Sequence, residues 1–445
     1  MDSLSKDFSG ALKGVYISTY GCQMNVNDTE RMFSLLEMIN YAPVPSAEQA
    51  QLIIINSCSV REKPVHKVVS EVGRYKKLKM KNPDLKIGVA GCVAQQERGR
   101  LLKRLPLLDF VFGPDSIDEL PEIVQKLDES KKPFHQTRLK NKEPYHIQTL
   151  IRNPKVTAFV NITKGCDNFC TFCIVPYTRG RERSRPIEHL LEDIKQLCGR
   201  GVKEVTLLGQ NVNSYRSPCG AGFAELLKRL AKETPISRIR FTTSHPKDFD
   251  EELVSIIAEH RDKIMESIHL PVQSGNDEVL RRMNRGYTRK DYIEKVKIIF
   301  EKIPDAVLST DIIVGFPGES EEQFKDTLSL LDEVPYEGIF AFCYSPRPFT
   351  KAALDPNPVP KKIQSERLKE LNEKHQAFAF DLVQKYKGKV LDVLVEKRDE
   401  KGGLLTGRSS QNKLVYFSGP ADLIGQEVPV CIEKAFPQTL YGRKI

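Results

Sequence analysis

The sequence predicts a multidomain α/β chain: a Rossmann-like domain on a parallel sheet, a partial (β/α)6 barrel, and a small antiparallel β-barrel at the end. Three observations carry that prediction. At 445 residues the chain is too long for one hydrophobic core. Over two long stretches, apolar strand runs alternate with helical patterns, as in parallel sheets covered on both faces. From about residue 376 the helical period stops, and short alternating runs are punctuated by Gly388, Gly402, Gly403, Gly407, Gly419 and Gly425. The expected divisions are 14–130, a basic linker over 131–151, 152–375 and 376–445.

Composition narrows the class. Hydrophobic residues make up 40% and charged residues 29%, ordinary values for a soluble protein. No eighteen apolar residues follow one another and the first twenty hold no long apolar run, so neither a membrane span nor a secretory signal is expected. A cytoplasmic location follows as an expectation. In that reducing compartment the ten cysteines point to metal ligands or catalytic groups before disulfides. The net charge of +9 is uneven: Lys131 to Lys155 carries seven Lys or Arg against Glu143 alone. A second basic run, Arg179, Arg181, Arg183 and Arg185, follows a cluster of cysteines. Basic runs are usually solvated surface, but two such runs around one site favour an anionic, phosphate-bearing partner.

In the first domain, Gly14–Thr19 reads as a strand that ends in a turn at Gly21. A helix follows from about Asp28 to Ile39, with Asn27 or Asp28 able to cap it. Leu52–Asn56 and Lys86–Ala90 are buried-type strands, and Phe110–Phe112 is a fourth. Arg61–Lys79, Gln95–Leu105 and Ile117–Leu127 are the helices after them. Cys22, Cys58 and Cys92 each fall just beyond a strand's carboxyl end. In a parallel sheet those ends share the edge where ligands bind, so three loops could gather three thiols that are 36 and 34 residues apart. Buried structural cysteines are the plainer alternative.

The second domain carries the densest chemistry. Its candidate strands are Ala158–Thr163, Glu204–Gly209, Ile239–Ser244, Ser267–Val272, Ser309–Gly315 and Ile339–Tyr344. Six βα units suggest an open partial barrel with its chemistry at the strands' carboxyl ends. Cys166, Cys170 and Cys173 follow the first strand with spacing C-x3-C-x2-C. Three thiolates so close can ligate three irons of a 4Fe–4S cube and leave the fourth iron open. A zinc knuckle or unconnected thiols are the bland readings. Zinc usually takes four protein ligands, and no fourth Cys or His lies near, His189 being the closest. Gln210 and Asn211, His245, Gln273, and the Gly315 and Gly318 of a GFPGE turn follow the later strands as candidate cofactor contacts. A tight βα turn is the simpler reading of GFPGE alone.

In the third domain the candidate strands are Val390–Val395, Leu404–Arg408, Leu414–Phe417, Glu427–Ala435 and Leu440–Gly442. Arg408, Lys413, Arg443 and Lys444 are candidate phosphate contacts. The remaining thiols, Cys198, Cys219, Cys343 and Cys431, have no partner spacing and read as packing residues, with Cys219 beside a proline and a glycine in a turn.

GCDNFCTFC, with Phe172 before its last cysteine, resembles the signature of the radical S-adenosylmethionine enzymes. There the cofactor chelates the open iron, is cleaved, and gives a 5′-deoxyadenosyl radical. YGCQMN, NSC and AGC around Cys22, Cys58 and Cys92 resemble the amino-terminal domain of the methylthiotransferases, which implies a second 4Fe–4S cluster on those three thiols. The last segment resembles a TRAM domain, which implies RNA binding, although composition alone would equally suit a structural cap. Together the three blocks resemble the methylthiotransferase family over essentially the full length. Within it, TYGCQMNVNDTE, GCDNFCTFCIVPYTRGRERSRP, IHLPVQSGNDEVLRRMNRGYTR and YSPRP look most like the tRNA branch. The resemblance implies methylthiolation of C2 of N6-(dimethylallyl)adenosine beside the anticodon. S-adenosylmethionine would supply both methyl group and radical, and the sulfur would come through the auxiliary cluster. It also implies a tRNA anticodon stem–loop as substrate, an external reductant such as flavodoxin or ferredoxin, and a sulfur donor or cluster carrier. GFPGE, in register with the cysteine motif, matches that family's cofactor-binding strand end. One departure is Phe349 after Arg347-Pro348, where a glycine is expected.

Three rivals remain at this stage. The same chemistry could act on an aspartate of a ribosomal protein, or on threonylcarbamoyladenosine in tRNA; YGCQMN weighs against both, more strongly against the first. The third is a non-catalytic RNA-binding sensor with iron–sulfur clusters, which an open-iron motif disfavours.

Overall fold

The computed structural model describes residues 12–59, 63–130, 132–141, 143–145, 147–399 and 402–445. Arg61, Lys131 and Lys142, which figured in the expected helix and linker, lie outside the described residues. The chain divides into two compact units: one of residues up to 144 with Thr149–Asn153 and Ile174–Glu182, the other of Tyr145–Gln148, Pro154–Cys173 and Arg183–Ile445. The stretch directly after Cys173, inside the second α/β run by sequence order, thus packs in the first unit.

The first unit is a parallel sheet of β1 (Lys13–Tyr20), β2 (Tyr41–Pro43), β3 (Leu52–Ser57), β4 (Lys86–Gly91), β5 (Phe110–Phe112) and β6 (Phe134–Gln136), in the order β2-β1-β3-β4-β5-β6. β3 is buried at every position. Its side chains alternate between two cores, Ile53 and Ile55 to one face, Leu52 and Ile54 to the other. The sheet edges β2 and β6 are additions to the expected four strands; partly exposed and not continuously apolar, they lack the signal that marked Phe110–Phe112. The strand order reverses between β1 and β3, which opens a crevice beyond their carboxyl ends.

The helices depart from expectation where cysteines or backbone geometry intervene. The first helix runs Gln23–Glu37 with Cys22 at its amino-terminal cap position, so Asn27 and Asp28 are buried inside it and cap nothing. The expected 61–79 helix is two pieces, Lys63–Arg74 and Lys76–Lys81. The next is Cys92–Glu97 and Arg100–Arg104, broken where Arg98 takes φ 51°.

The second unit opens with β7 (Thr157–Asn161), then β8 (Thr163–Lys164), which pairs with β9 (Arg183–Ser184) across the cysteine loop. β10 (Glu204–Leu208), β11 (Arg238–Phe241), β12 (Ser267–His269), β13 (Val307–Val314) and β14 (Tyr336–Cys343) complete six parallel strands. β7-β10-β11 and β12-β13-β14 form two ladders, joined by a parallel bridge from Ile239 to Ile264. The strands therefore follow sequence order in the expected partial-barrel arrangement. A 24-residue helix, Lys361–Gln384, then runs unbroken through the boundary expected at 375/376.

β15 (Val390–Arg398), β16 (Leu405–Arg408), β17 (Leu414–Phe417), β18 (Glu427–Ala435) and β19 (Thr439–Lys444) close a barrel in the order β15-β16-β17-β19-β18. All its pairs are antiparallel except β17 with β19, which is parallel, so the fully antiparallel expectation needs that correction. This barrel docks on the amino-terminal ends of the six strands. Arg238, first in β11, donates to the Arg408 and Asp392 carbonyls and pairs with Glu427 at 2.7 Å. Arg240 donates to the Ser409 and Ser410 carbonyls and pairs with Glu204 at 2.9 Å. The carboxyl ends, where the cysteine loop begins, lie at the opposite end of the strands.

Candidate functional site

Cys22 follows β1, Cys58 follows β3 and Cys92 follows β4, around the crevice set by the strand reversal. The fold brings all three together: the Cys58 thiol is in hydrogen-bond contact with both Cys22 and Cys92. Cys58 and Cys92 are buried while Cys22 is exposed, so the group has one open side. Cys22 and Cys92 are held below the ordinary thiol range, first by their hydrogen bonds with Cys58 and also by the Arg179 charge. Cys58 is pushed up by its bonds to its two neighbours.

Two asparagines fasten the loops beneath. Asn56 Nδ2 donates to the Asn25 carbonyl (2.8 Å) and to Thr29 Oγ1 (3.0 Å), and Asn25 Nδ2 donates to Asn56 Oδ1 (3.0 Å). Cys22 Sγ donates to Asn25 Oδ1 at 3.4 Å, and the Cys58 amide to the Tyr20 carbonyl at 2.9 Å. Gly91, immediately before Cys92, has φ +86°, and a Cβ there would stand 2.5 Å from Asn56 Oδ1 and 2.7 Å from the Ser57 carbonyl. The loop needs glycine on both counts. Asn25 and Asn56 lay within the motifs around the cysteines, but their fastening role had no periodic signal; only their pairing across β1 and β3 reveals it.

Cys166, Cys170 and Cys173 sit on one loop after β7. Cys166 and Cys170 are buried and Cys173 is half-buried. The segment Arg282–Arg285 clamps this loop. Thr171 donates to the Met283 carbonyl (3.0 Å) and, through Oγ1, to that of Arg282 (2.8 Å), while Asn284 Nδ2 donates to the Asn168 carbonyl (3.0 Å). Arg285 is buried and reaches Cys170 Sγ at 3.5 Å; its other donors go to the Pro271 carbonyl (2.6 Å) and the Tyr287 hydroxyl (2.9 Å). Neither Arg285 nor Asn284 was singled out from sequence, though both stand in the RRMNRGYTR stretch that carried part of the resemblance. Phe172 packs against Val279, Met283, Phe316 and Ala352.

The strand-end residues surround that loop with polar atoms. Gln210 Oε1 accepts the Gly165 amide at 2.5 Å, tying the second strand's end to the residue before Cys166. Asn211 donates to Asp248 (2.7 Å) and leaves a buried Oδ1 unpaired among the described residues. His245 accepts the Lys247 amide at Nδ1 (3.2 Å), so its proton sits on Nε2, which is buried without a partner among the described residues. Burial, then Arg285 and Lys247, push its pKa down to about 2, which keeps the ring neutral. Gln273 is buried at φ 73°, a strained value for a side-chain-bearing residue. Gly315 and Gly318 also take positive φ, and the turn between them is held by Glu319, which accepts from the Gly315 amide (2.6 Å) and pairs with Arg367 (2.8 Å). Phe349, where the family pattern leads to a glycine, takes φ 71°, a left-handed value, and is about half exposed.

The basic candidates divide sharply. Arg179 is buried and pairs with Asp28 (2.8 Å); Arg185 is buried and pairs with Asp193 (2.5 Å); Lys413 is buried and pairs with Glu337 (2.6 Å). Buried in ion pairs, these three are not surface phosphate contacts, which corrects the expectation. Arg181 is exposed, Arg183 lies 5.7 Å from the Tyr145 ring, and Arg408 is part-exposed beside Asn412 and Glu396.

Among the described residues no three His, Cys, Asp or Glu side chains form a group that could hold a single metal ion. A cube asks for something else, one thiolate per iron. Both triads offer soft sulfur donors of that kind, and the second also offers orphaned polar atoms on Asn161, Thr163, Asn211, Ser244 and His245 that a polar cofactor would satisfy. No helix is long and apolar enough to cross a membrane, among the described residues.

Three family models match successive parts of the chain: the uncharacterized protein family UPF0004 at 14–113, the Radical SAM superfamily at 160–331 and the TRAM domain at 384–445. A curated relative from Bdellovibrio bacteriovorus, named tRNA-2-methylthio-N(6)-dimethylallyladenosine synthase, is 60% identical over 436 residues, 98% of this chain and 96% of its own. The solved radical S-adenosylmethionine methyltransferase TsrM from Kitasatospora setae, with cobalamin and a [4Fe-4S] cluster bound, superposes with a TM-score of 0.54 at 12% identity over 77% of each chain. The cobalamin-dependent S-adenosylmethionine radical enzyme OxsB superposes with a TM-score of 0.51 at 15% identity over 82% of this chain, which spans 56% of OxsB. At such identities these two show a shared fold.

Proposed function

Because the chain belongs to the tRNA-2-methylthio-N(6)-dimethylallyladenosine synthase family, we propose a division of labour between its two cysteine triads. The protein is a radical S-adenosylmethionine methylthiotransferase, and it converts N6-(dimethylallyl)adenosine in tRNA to the 2-methylthio form. It uses S-adenosylmethionine and a 4Fe–4S cluster. In the proposal, Cys166, Cys170 and Cys173 hold that cluster, Cys22, Cys58 and Cys92 hold a second one, and the modified base lies beside the anticodon. Bound at Cys166, Cys170 and Cys173, cluster and cofactor would supply the 5′-deoxyadenosyl radical needed because an aromatic C2–H resists ordinary base chemistry.

The chain's own residues do the rest. Arg282–Arg285 fixes the loop, and Gln210 orients its start. Asn211 Oδ1 and the protonated Nε2 of His245 present one acceptor and one donor to the polar parts of S-adenosylmethionine. His245 stays neutral, so it adds no charge beside a cationic sulfonium. Phe172 and Phe316 exclude water from one side. The first triad's exposed Cys22 edge leaves room for a sulfur that the substrate receives. The base must leave its stack to reach such a site, which costs least in a single-stranded loop. The assignments of 14–130 to the auxiliary cluster, 152–375 to radical chemistry and 376–445 to RNA binding belong to the same proposal. So do an external reductant such as flavodoxin or ferredoxin, a sulfur donor or cluster carrier, and a cytoplasmic location.

The observation that carries the two-site reading is the contact of Cys58 with both Cys22 and Cys92, partners it meets only through the fold. The test is a mass spectrum of nucleosides after anaerobic reconstitution, S-adenosylmethionine, reductant and an isopentenylated anticodon stem–loop. A methylthioadenosine from the wild type, lost in Cys22→Ala while 5′-deoxyadenosine still forms, supports it. Wild-type product from Cys22→Ala would sink the role given to the first triad.

A further inference from the structure

Arg179 stands at the carboxyl end of the short helix Val175–Thr178, in the segment that packs with the first unit. Its side chain is 3% exposed and that of Asp28 is 4% exposed. Nη2 donates to Asp28 Oδ2 at 2.8 Å. The guanidinium also lies close enough to Cys92 and Cys22 to feel their charge. Asp28 belongs to the helix that starts after Cys22, and Cys92 begins another, so the arginine is bracketed by the two elements that carry two of the three thiols. Nη1 is buried and has no hydrogen-bond partner among the described residues.

A buried arginine–aspartate pair is expensive to desolvate, and an unpaired donor on it costs more. An anion beside Nη1 would account for both: three thiolates carry more negative charge than one guanidinium, already shared with Asp28, can offset. Resting on the reading that this triad holds a second cluster, we propose that Arg179 is a positioning residue for it, donating through Nη1 to an anionic sulfur of the bound group and raising that group's reduction potential. Asp28 orients the guanidinium and tempers its charge. The sign follows from charge alone: reduction adds an electron to an anionic group, and a nearby cation favours the more negative form.

The test is a dithionite titration of the anaerobically reconstituted holoprotein, with dithionite as the electron source and electron paramagnetic resonance as the readout, beside iron analysis and circular dichroism. Arg179→Gln should lower the potential of one cluster only, with about a tenfold fall in its reduced-to-oxidised ratio at the wild-type midpoint, about 59 mV for one electron. Arg179→Lys should recover most of it. Asp28→Asn, which keeps the cation and removes its counter-charge, should shift the potential the other way. A purely structural ion pair predicts the same direction for Arg179→Gln and Asp28→Asn, or cluster loss in both. Should Arg179→Gln fail to fold, the Asp28→Asn and Arg179→Lys arms still decide. Unmoved potentials, or shifts of one sign, overturn the proposal while wild-type iron near about eight per chain keeps the two-cluster reading intact. Wild-type iron near about four, all lost in Cys166→Ala, overturns the two-cluster reading and the proposal with it.

Discussion

The two cysteine triads reach similar donor sets by opposite routes. Cys166, Cys170 and Cys173 share one loop, and a single segment, Arg282–Arg285, clamps it. Cys22, Cys58 and Cys92 come from three strand ends and depend on the Asn25–Asn56 pair and on Gly91 to bring them together. The cations differ as well. Arg179 carries a carboxylate partner at 2.8 Å, whereas Arg285 donates to neutral oxygens and the Cys170 sulfur. The first site thus shares its cation with a carboxylate and depends on tertiary structure. The second keeps its cation on the Cys170 sulfur and is assembled locally.

The sharpest break between them is chemical. Cys170→Ala should abolish both 5′-deoxyadenosine and methylthioadenosine. Cys58→Ala should abolish only the second, with product falling by more than ~100-fold, beyond what outer-shell changes cause. Paired mass spectrometry of both products checks it. Loss of 5′-deoxyadenosine in Cys58→Ala would mean that the sites are not separable.

That contrast also explains what could be read beforehand. The second triad is legible because its spacing is covalent: eight residues hold the whole donor set. The first is legible only once β1, β3 and β4 are recognised as parallel neighbours, which the buried runs Leu52–Asn56 and Lys86–Ala90 allowed. Helix starts were less readable. Asp28 looks like a cap, but its carboxylate answers Arg179, 151 residues away, and no local pattern records that. Arg179, Arg185 and Lys413 looked like surface for the same reason, since a charged residue in a basic run carries no mark of the carboxylate that buries it. β2 and β6 were missed because YAP and FHQ lack the continuous apolar run that marks Phe110–Phe112.

A second comparison uses glycines. Gly91→Ala places a Cβ 2.5 Å from Asn56 Oδ1 at φ +86°. We expect about 1–3 kcal/mol of backbone strain, a displaced Asn56, and loss of roughly half the bound iron if each triad holds one cube. Gly286→Ala, directly after the clamp of the second triad, also has positive φ, but its nearest atom is Lys247 Cδ at 3.9 Å. Only backbone strain applies there, about 1–2 kcal/mol, and iron should be retained. Thermal unfolding with iron analysis separates them; equal iron loss would show that the second loop is no more self-sufficient than the first.

Arg285→Gln sharpens the electrostatic contrast at smaller amplitude. It removes the donor to Cys170 and the only cation among those contacts. S-adenosylmethionine cleavage should fall about 10- to 100-fold, as for other outer-shell partners, and the first triad's electron paramagnetic signal should stay in place. Cleavage within twofold of wild type would mean that the Thr171 and Asn284 hydrogen bonds alone hold the loop.

The smallest effects are expected at the carboxyl-terminal barrel, where buried and exposed cations again part company. Lys413 reaches Glu337, which is buried and also accepts from the Tyr386 hydroxyl (3.1 Å) and pairs with Lys385 (2.5 Å). Lys413→Ala leaves that carboxylate with the other two, so the cost should be about 1–3 kcal/mol, read as a lower Tm, with tRNA affinity unchanged in the fraction that remains folded. Arg408 is 38% exposed and sits 3.4 Å from Glu396. Arg408→Ala should alter stability by less than about 0.5 kcal/mol. If this arginine meets one phosphate, the log–log salt dependence of tRNA binding should flatten by about 0.7–0.9. An unchanged slope would place the RNA on another face. That outcome would fit the docking geometry, because Arg238 and Arg240 fasten this barrel to the end of the strands away from the cysteine loop. A stem–loop whose base enters at the carboxyl ends must then extend past the barrel's flank to touch Arg408, and the slope measures whether it does.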